Sequence, residues 1–501
     1  MGLNLAEAVT RSAERHGTQT AVRLDPIELT YSQLEEMTAQ GAAMLRDRGL
    51  EPGERVGLML PNVPAFVVLY YAILRAGGVV VPMNVLLKRR EVSYFLEDSG
   101  ARLLLTVEDL REEAEAGTAE AGAEAMALER GGLPKWLAPY DADPSVAETA
   151  ADDTAVILYT SGTTGQPKGA ELTHANLDGN AEVVCSTLTR VAPGDVVLGA
   201  LPLFHSFGQT AAMNASLRNG ACLALLARFD PEEALEAMAS LGVTVFLGVP
   251  TMYAAMLNLP GHERFDLGSL RTCVSGGQSM PAELLRGFEG AFGCKILEGY
   301  GLSETSPVAC QNRPDRERKP GSIGMPIEGT EMKVVDDSGE EVPDGEVGEI
   351  LIRGPNVMKG YWRRPEATEE TISDGWLHSG DLGRRDSDGY FYVVDRKKEM
   401  IIRGGYNVYP REVEEVLYEH PDVVEAAVVG FPEPTLGEEI GAAVVLRPGS
   451  DATPEDLQEH VRSQLAAYKY PRRVWTLDEL PKGPTGKILK REVQPPSTLP
   501  G

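Results

Sequence analysis

Residues 154–169 read TAVILYTSGTTGQPKG. The first seven form an apolar, β-branched run of strand length, and a loop follows at Thr160. From Tyr159 to Gly169, eleven residues hold three glycines, four hydroxyls and one lysine. Glycines let successive backbone N–H groups turn toward one point, hydroxyls donate hydrogen bonds, and a lysine adds a point charge. Thr160, Ser161, Gly162, Thr163, Thr164, Gly165 and Lys168 together therefore suit a polyphosphate. The order is not that of a Walker loop, which needs G-x-x-x-x-G-K-[ST]. A plain polar surface turn is the competing reading, but such turns rarely combine all these features. The pattern predicts a strand, this loop, and then a helix capped near Thr173.

Outward from this stretch, further apolar runs alternate with helical ones. VVLGALPLF, VTVFLGVP, LRTCVSGG and CKILEGYG read as strands. Alternation of this kind predicts an α/β fold with mainly parallel sheets covered by helices. Ligands then belong at loops leaving the carboxyl ends of strands. On the amino side, TYSQLEEMTAQGAAMLRDRG reads as a capped amphipathic helix, and RVGLML and GGVVVPM as buried strands. Residues 108–153, rich in Ala, Glu, Asp and Gly, read as a surface helix and loop. Residues 345–403 turn to short strands, a β-rich subdomain. The tail is a compact α/β series: a helix at 410–419, strands VVEAAVVG and IGAAVVL, and a helix after Thr453. These shifts predict a large domain over 1–395 and a small, mobile one over 396–501.

The 501 residues exceed one ordinary core, consistent with two domains. Hydrophobic and charged fractions of 43% and 24% are those of a globular protein. Forty-seven basic against 75 acidic residues leave a net charge of −28, which argues against nucleic acid and anionic membranes as partners. Five cysteines without a CxxC pair read as buried reduced thiols. With no apolar run of about 18 residues, no integral membrane segment is expected, and the expected location is cytoplasmic.

The loop at 159–169 resembles the phosphate loop of the adenylate-forming superfamily, which contains acyl-CoA synthetases, adenylation domains and firefly luciferase. Further motifs stand in family order: SGGQ at 275–278, EGYGLSE at 298–304, SGD at 379–381, DRKK at 395–398 and PKGPTGK at 481–487. Each alone is bland: a helix entry, a turn, a solvated charge run. The resemblance implies that Gly276, Gly277 and Gln278 form the adenine wall and that Tyr300, within Glu298, Gly299, Gly301 and Ser303, stacks on adenine. It implies that Glu304, with the Thr163 hydroxyl, holds Mg²⁺. Ser303 stands where the family usually has Thr, and keeps the hydroxyl. Asp381 matches the ribose acceptor and Arg396 a ribose and phosphate contact. Lys487 matches the lysine that neutralises charge as a carboxylate attacks the α-phosphorus. Lys398 matches a hinge about which the small domain rotates, bringing Gly404 and Gly405 to the thiol channel.

The implied function is ATP-dependent activation of a carboxylic acid to an acyl-adenylate, then transfer to coenzyme A. His205, in LFHSFG, corresponds to the boundary of acyl and thiol channels; a lone His is otherwise more often structural. Malonate-activating relatives carry a second His at the place of Phe207 and an Arg at that of Gly299. Lacking both, this chain is expected to take an apolar monocarboxylate, a medium- or long-chain fatty acid first and an aryl acid as the alternative. An acyl-AMP ligase or adenylation enzyme serving a carrier protein is the other alternative. Partners are expected to be small molecules, with a homodimer compatible with the reading.

Overall fold

The computed structural model describes residues 3–160, 166–433, 435–483 and 486–496. Two large sheets build the amino-terminal part. One has nine strands, six of them parallel: Ile296–Gly301, Thr272–Ser275, Val245–Gly248, Val196–Gly199, Cys222–Leu225 and Thr20–Leu24, in that spatial order. Antiparallel strands flank this block on both sides. The other has seven strands, with Thr154–Thr160, Val79–Pro82, Arg55–Met59, Leu103–Val107 and Glu124–Leu128 parallel. The helix Pro64–Arg75, apolar around most of its circumference, is buried at every residue and contacts strands of both sheets. It welds them into one continuous core.

The helix Tyr31–Asp47 starts as expected. The Gln33 N–H donates to the Thr30 hydroxyl, and the Thr30 N–H donates back to the Gln33 side chain. Residues 108–153 depart from expectation. Besides the helix Arg111–Ala121 they supply the edge strand Glu124–Leu128 and the short helix Leu133–Leu137. Ala114, Leu128, Leu133 and Leu137 are buried, so a few well-spaced apolar residues anchor a polar stretch.

The phosphate loop also differs from the expected strand-to-helix crossing. Lys168–Thr173 is a strand that runs antiparallel to Thr154–Thr160, so a strand rather than a helix follows the loop. The helix His174–Val183 begins only afterwards, capped by Thr173. Ser161, Gly162, Thr163, Thr164 and Gly165 lie outside the described residues. Asp381, expected in a turn, sits inside the strand Trp376–Arg385, opposite Arg396 on the strand Phe391–Arg396. Pro281 stands at the N-cap position of the helix Ala282–Phe292.

Glu331–Val335, Gly348–Arg353, Ile372–Ser373, Trp376–Arg385 and Phe391–Arg396 form the β-rich antiparallel sheet. The carboxyl-terminal part has its own five-stranded sheet over Ile401–Arg403, Tyr406–Val408, Val423–Glu433, Gly437–Leu446 and Arg473–Thr476. Helices Pro410–Tyr418 and Pro454–Gln464 pack with it in a separate core. Cys185, Cys273, Cys294 and Cys310 are buried and free, and Cys222 is half-buried. No helix among the described residues is long and apolar enough to cross a membrane.

The edge beside Tyr300 depends on one glycine. Gly324 has φ +87°, and a Cβ there would lie 1.9 Å from the Gln311 carbonyl carbon. Gly324→Ala should cost about 2–4 kcal/mol through strain and backbone clash. The expected result is a lower urea midpoint for unfolding of the large part, with its m value unchanged.

Candidate functional site

Asp381 is 3% exposed, and burial raises its pKa. The Arg396 charge and the Tyr300 hydroxyl oppose that rise. Tyr300 donates to Oδ2 at 2.6 Å, and Arg396 Nε stands 3.3 Å from Oδ1. Three expected residues from two sheets thus meet on one carboxylate. Gly276, Gly277 and Gln278 follow the neighbouring strand Thr272–Ser275. A Cβ at Gly276 would meet the Phe207 ring at 3.1 Å, so only hydrogen leaves the approach open.

A cavity of about 200 Å³ opens between these residues and the carboxyl-terminal part. Gln278, Tyr300, Asp381 and Arg396 line it from one side, Lys487 and Lys490 from the other. Burial first, and the Arg396 charge second, lower the Lys487 pKa to about 8. Asp381 and Glu399 pull it back up. Lys490 is paired with Glu414 at 2.8 Å and Glu399 at 3.8 Å. Four basic side chains thus line the cavity, Lys487, Lys490, Arg396 and Arg411, of which Lys490, Arg396 and Arg411 each have a carboxylate partner.

A second cluster stands at the root of the phosphate loop. Tyr361 donates to Glu304 Oε1 at 2.8 Å, and the Thr160 hydroxyl donates to the same oxygen at 3.4 Å. Lys168 Nζ lies 5.2 Å from the centre of the Tyr361 ring. Tyr361 comes there because Gly360–Tyr361 pairs with the strand Lys168–Thr173. Sequence reasoning missed Tyr361; the only signal was an aromatic in a turn-rich stretch. No group of three or more His, Cys, Asp or Glu among the described residues could hold a metal by itself. A lone carboxylate fits Mg²⁺, which commonly takes one or two carboxylates and completes its shell with phosphate and water oxygens.

His205 has its pKa lowered to about 4, by burial first and by the Lys487 charge second, so it is neutral at pH 7. The Phe207 N–H donates to its Nδ1 at 3.3 Å. The Ser206 and Ser303 hydroxyls stand 3.5 Å apart. Gly301 lies against the Pro307 carbonyl, and a Cβ at Gly299 would lie 3.2 Å from Gln311 Oε1. Gln311 is buried, and its Nε2 has no partner among the described residues. Lys398 follows Arg396 in the turn that leads to Ile401–Arg403, while Gly404 and Gly405, with φ +57° and +84°, turn the hairpin to Tyr406–Val408. None of these three lines the cavity.

Glu298 is the surprise of the EGYG stretch. It is 4% exposed and accepts the Gly321 N–H at 2.8 Å. Burial pushes its pKa up to about 7; Gly321, Arg411 and Arg318 oppose this, and Glu415 adds to it.

The family model described as "AMP-binding enzyme" matches residues 9–362. The "AMP-binding enzyme C-terminal domain" model matches residues 412–487. The chain is 39% identical to the long-chain-fatty-acid–CoA ligase of Bacillus subtilis, covering 98% of this chain and 94% of that one. It is 42% identical to the feruloyl-CoA synthase of an Amycolatopsis species, covering 97% of each. The crystal structure of ATP-bound MatB from Rhodopseudomonas palustris superposes with a TM-score of 0.92 at 34% identity, over 98% of each chain.

Glu298 yields a pH test. A carboxyl with a folded pKa raised to about 7 contributes stability that is fully present below its unfolded value and lost as pH rises through 7. Glu298→Gln should remove that loss. Urea midpoints measured from pH 5 to pH 8 should fall less steeply for the variant than for the parent.

Proposed function

Because this chain belongs to the AMP-binding enzyme family and is an acid–thiol ligase, we propose that it activates an apolar monocarboxylic acid with ATP and passes the acyl group to coenzyme A. The observation that carries this reading is the meeting of Lys487 with Asp381, Arg396 and Tyr300 around one cavity. Asp381 accepts the ribose hydroxyls, a task suited to a two-oxygen acceptor. Tyr300 presents its ring to the adenine beside Gly276 and Gly277. Lys168 and the hydroxyls of the loop hold the β- and γ-phosphates. Mg²⁺, when bound at Glu304 and Thr163, offsets phosphate charge.

In the first step a carboxylate oxygen of the acid attacks the α-phosphorus, and the bond to the pyrophosphate oxygen breaks. Two anions meet there, so fixed positive charge from Lys487 and Arg396 is the main catalytic need. In the second step the thiol sulfur attacks the acyl carbonyl carbon, the thiol proton is lost to solvent, and AMP leaves. Neutral His205 borders the path without adding charge to the thiolate's route. Residues 1–395 and 396–501 act as the two domains. Rotation about Lys398 exchanges Lys487 for Gly404 and Gly405 between the steps. The separate carboxyl-terminal core supports such a rigid-body change, since that core stays whole while surface contacts such as Arg447 with Asn258 exchange.

A medium- or long-chain fatty acid is the first expectation, in keeping with the Bacillus relative. Phe207 and Gly299 supply no cation for a second carboxylate. A second reading, an aryl acid, is favoured by the Amycolatopsis relative and by the unpartnered Gln311 Nε2, a donor that a polar ring substituent would satisfy. A panel of decanoate, palmitate, ferulate, benzoate and malonate should separate them, with pyrophosphate, AMP and ADP measured with and without CoA. The expected result is AMP and pyrophosphate, dependence on CoA for turnover, and malonate more than tenfold below the best acid in kcat/KM. Burying an unpaired carboxylate costs more than the ~1.4 kcal/mol that equals this factor. Stoichiometric ADP would refute the mechanism, and malonate as best acid would refute the reading of Phe207 and Gly299.

Lys487→Ala should slow adenylate formation roughly 10²–10³-fold. Supplied acyl-adenylate plus CoA should bypass most of the defect. In the parent enzyme, kcat/KM for adenylate formation should fall as pH rises through about 8, where Lys487 loses its charge. Lys487→Arg should move that limb to higher pH. A parent limb unchanged by the arginine would assign it to another group.

A further inference from the structure

The loop that carries Lys487 is tied to the large domain by one side-chain hydrogen bond that the reading above does not use. Thr251 is the second residue of the helix Pro250–Leu257, which the extended residue Val249 precedes. Its hydroxyl donates to the carbonyl of Gly486 at 2.9 Å. Gly486 has φ +80°, and a Cβ there would lie 2.9 Å from the Thr251 hydroxyl and 3.2 Å from Val249 Cγ2. The approach is therefore close enough to exclude any side chain at 486. Val249 also lies 3.4 Å from where a Cβ of Gly277 would stand, so one short segment touches both the SGGQ turn and the lysine loop.

We propose that Thr251 is a positioning residue that docks the Lys487 loop in the orientation used for adenylate formation. The inference rests on the acid–thiol ligase reading. Gly486 precedes Lys487, so fixing its carbonyl fixes where the lysine backbone starts, about one residue from the charge that matters. The bond joins groups on opposite sides of the interdomain cavity, so it exists only in this orientation and must break when the small domain turns. A hydroxyl is suited to that: one neutral hydrogen bond shifts a population by roughly three- to tenfold, enough to bias an orientation without locking it.

The test compares the parent with Thr251→Val, which keeps the shape, and Thr251→Ser, which keeps the hydroxyl. Single-turnover pyrophosphate release without CoA, using the best acid of the panel, reads the first half-reaction. Chemically made acyl-adenylate plus CoA reads the second. Thr251→Val should slow the first by roughly three- to tenfold, leave the second within about twofold, and be rescued by Thr251→Ser. Hydrogen exchange of peptides covering 480–490, which needs no turnover, should be faster in Thr251→Val and parent-like in Thr251→Ser. Equal slowing of both half-reactions, no slowing, or a serine variant no better than valine would overturn the proposal. So would unchanged exchange. A parent that forms no adenylate with any acid would refute the ligase reading instead, and the exchange comparison would still decide whether Thr251 docks the loop.

Discussion

Asp381 is the constraint on which the site is built. A carboxylate at 3% exposure is costly unless its oxygens are answered, and here Tyr300 and Arg396 answer one oxygen each. Tyr300 comes from the nine-stranded sheet and Arg396 from the last strand of the β-rich sheet, so the carboxylate fastens the two together. The same negative charge draws Lys487 toward the cavity from the carboxyl-terminal part. Remove the carboxylate, and a tyrosine hydroxyl, a guanidinium and an ammonium all lose the partner that brings them to one place.

Basic side chains gather at the cavity although the whole chain is acidic. A net charge of −28 would keep a polyanion away if it were evenly spread. Lys487, Arg396, Arg411 and Lys490 line the cavity, with Arg396 paired to Asp381 and Lys490 to Glu414 and Glu399. The desolvation that lowers the Lys487 pKa is also what makes its charge effective, because little water is left to screen it. Neutral His205 nearby adds nothing to that repulsion.

Tyr361 shows a different kind of support. It gives a hydrogen bond to Glu304 and its ring to Lys168, so an acid and a base share one aromatic. Its place depends on a two-residue strand, Gly360–Tyr361, beside the strand that carries Lys168. Such an element is too short to leave a periodic pattern.

The sequence by itself determined the alternation of strands and helices, the parallel sheets, the capped helix at Thr30, and the motifs around Tyr300, Asp381, Arg396 and Lys487. These follow from local chemistry: apolar periodicity, capping residues, and glycines where the backbone must turn. It misread what depends on pairing across distance. Lys168–Thr173 became a strand because it found an antiparallel partner in Thr154–Thr160, and Asp381 lay within a strand because Arg396 stood opposite. The polar stretch 108–153 gained an edge strand because Leu103–Val107 offered it an unpaired side. Only the tertiary structure decided that Glu298 is buried enough to titrate near 7, that Tyr361 reaches Glu304, and that Thr251 holds Gly486. Each depends on which atoms exclude water or come within hydrogen-bond reach, and residues far apart in the chain settle that together.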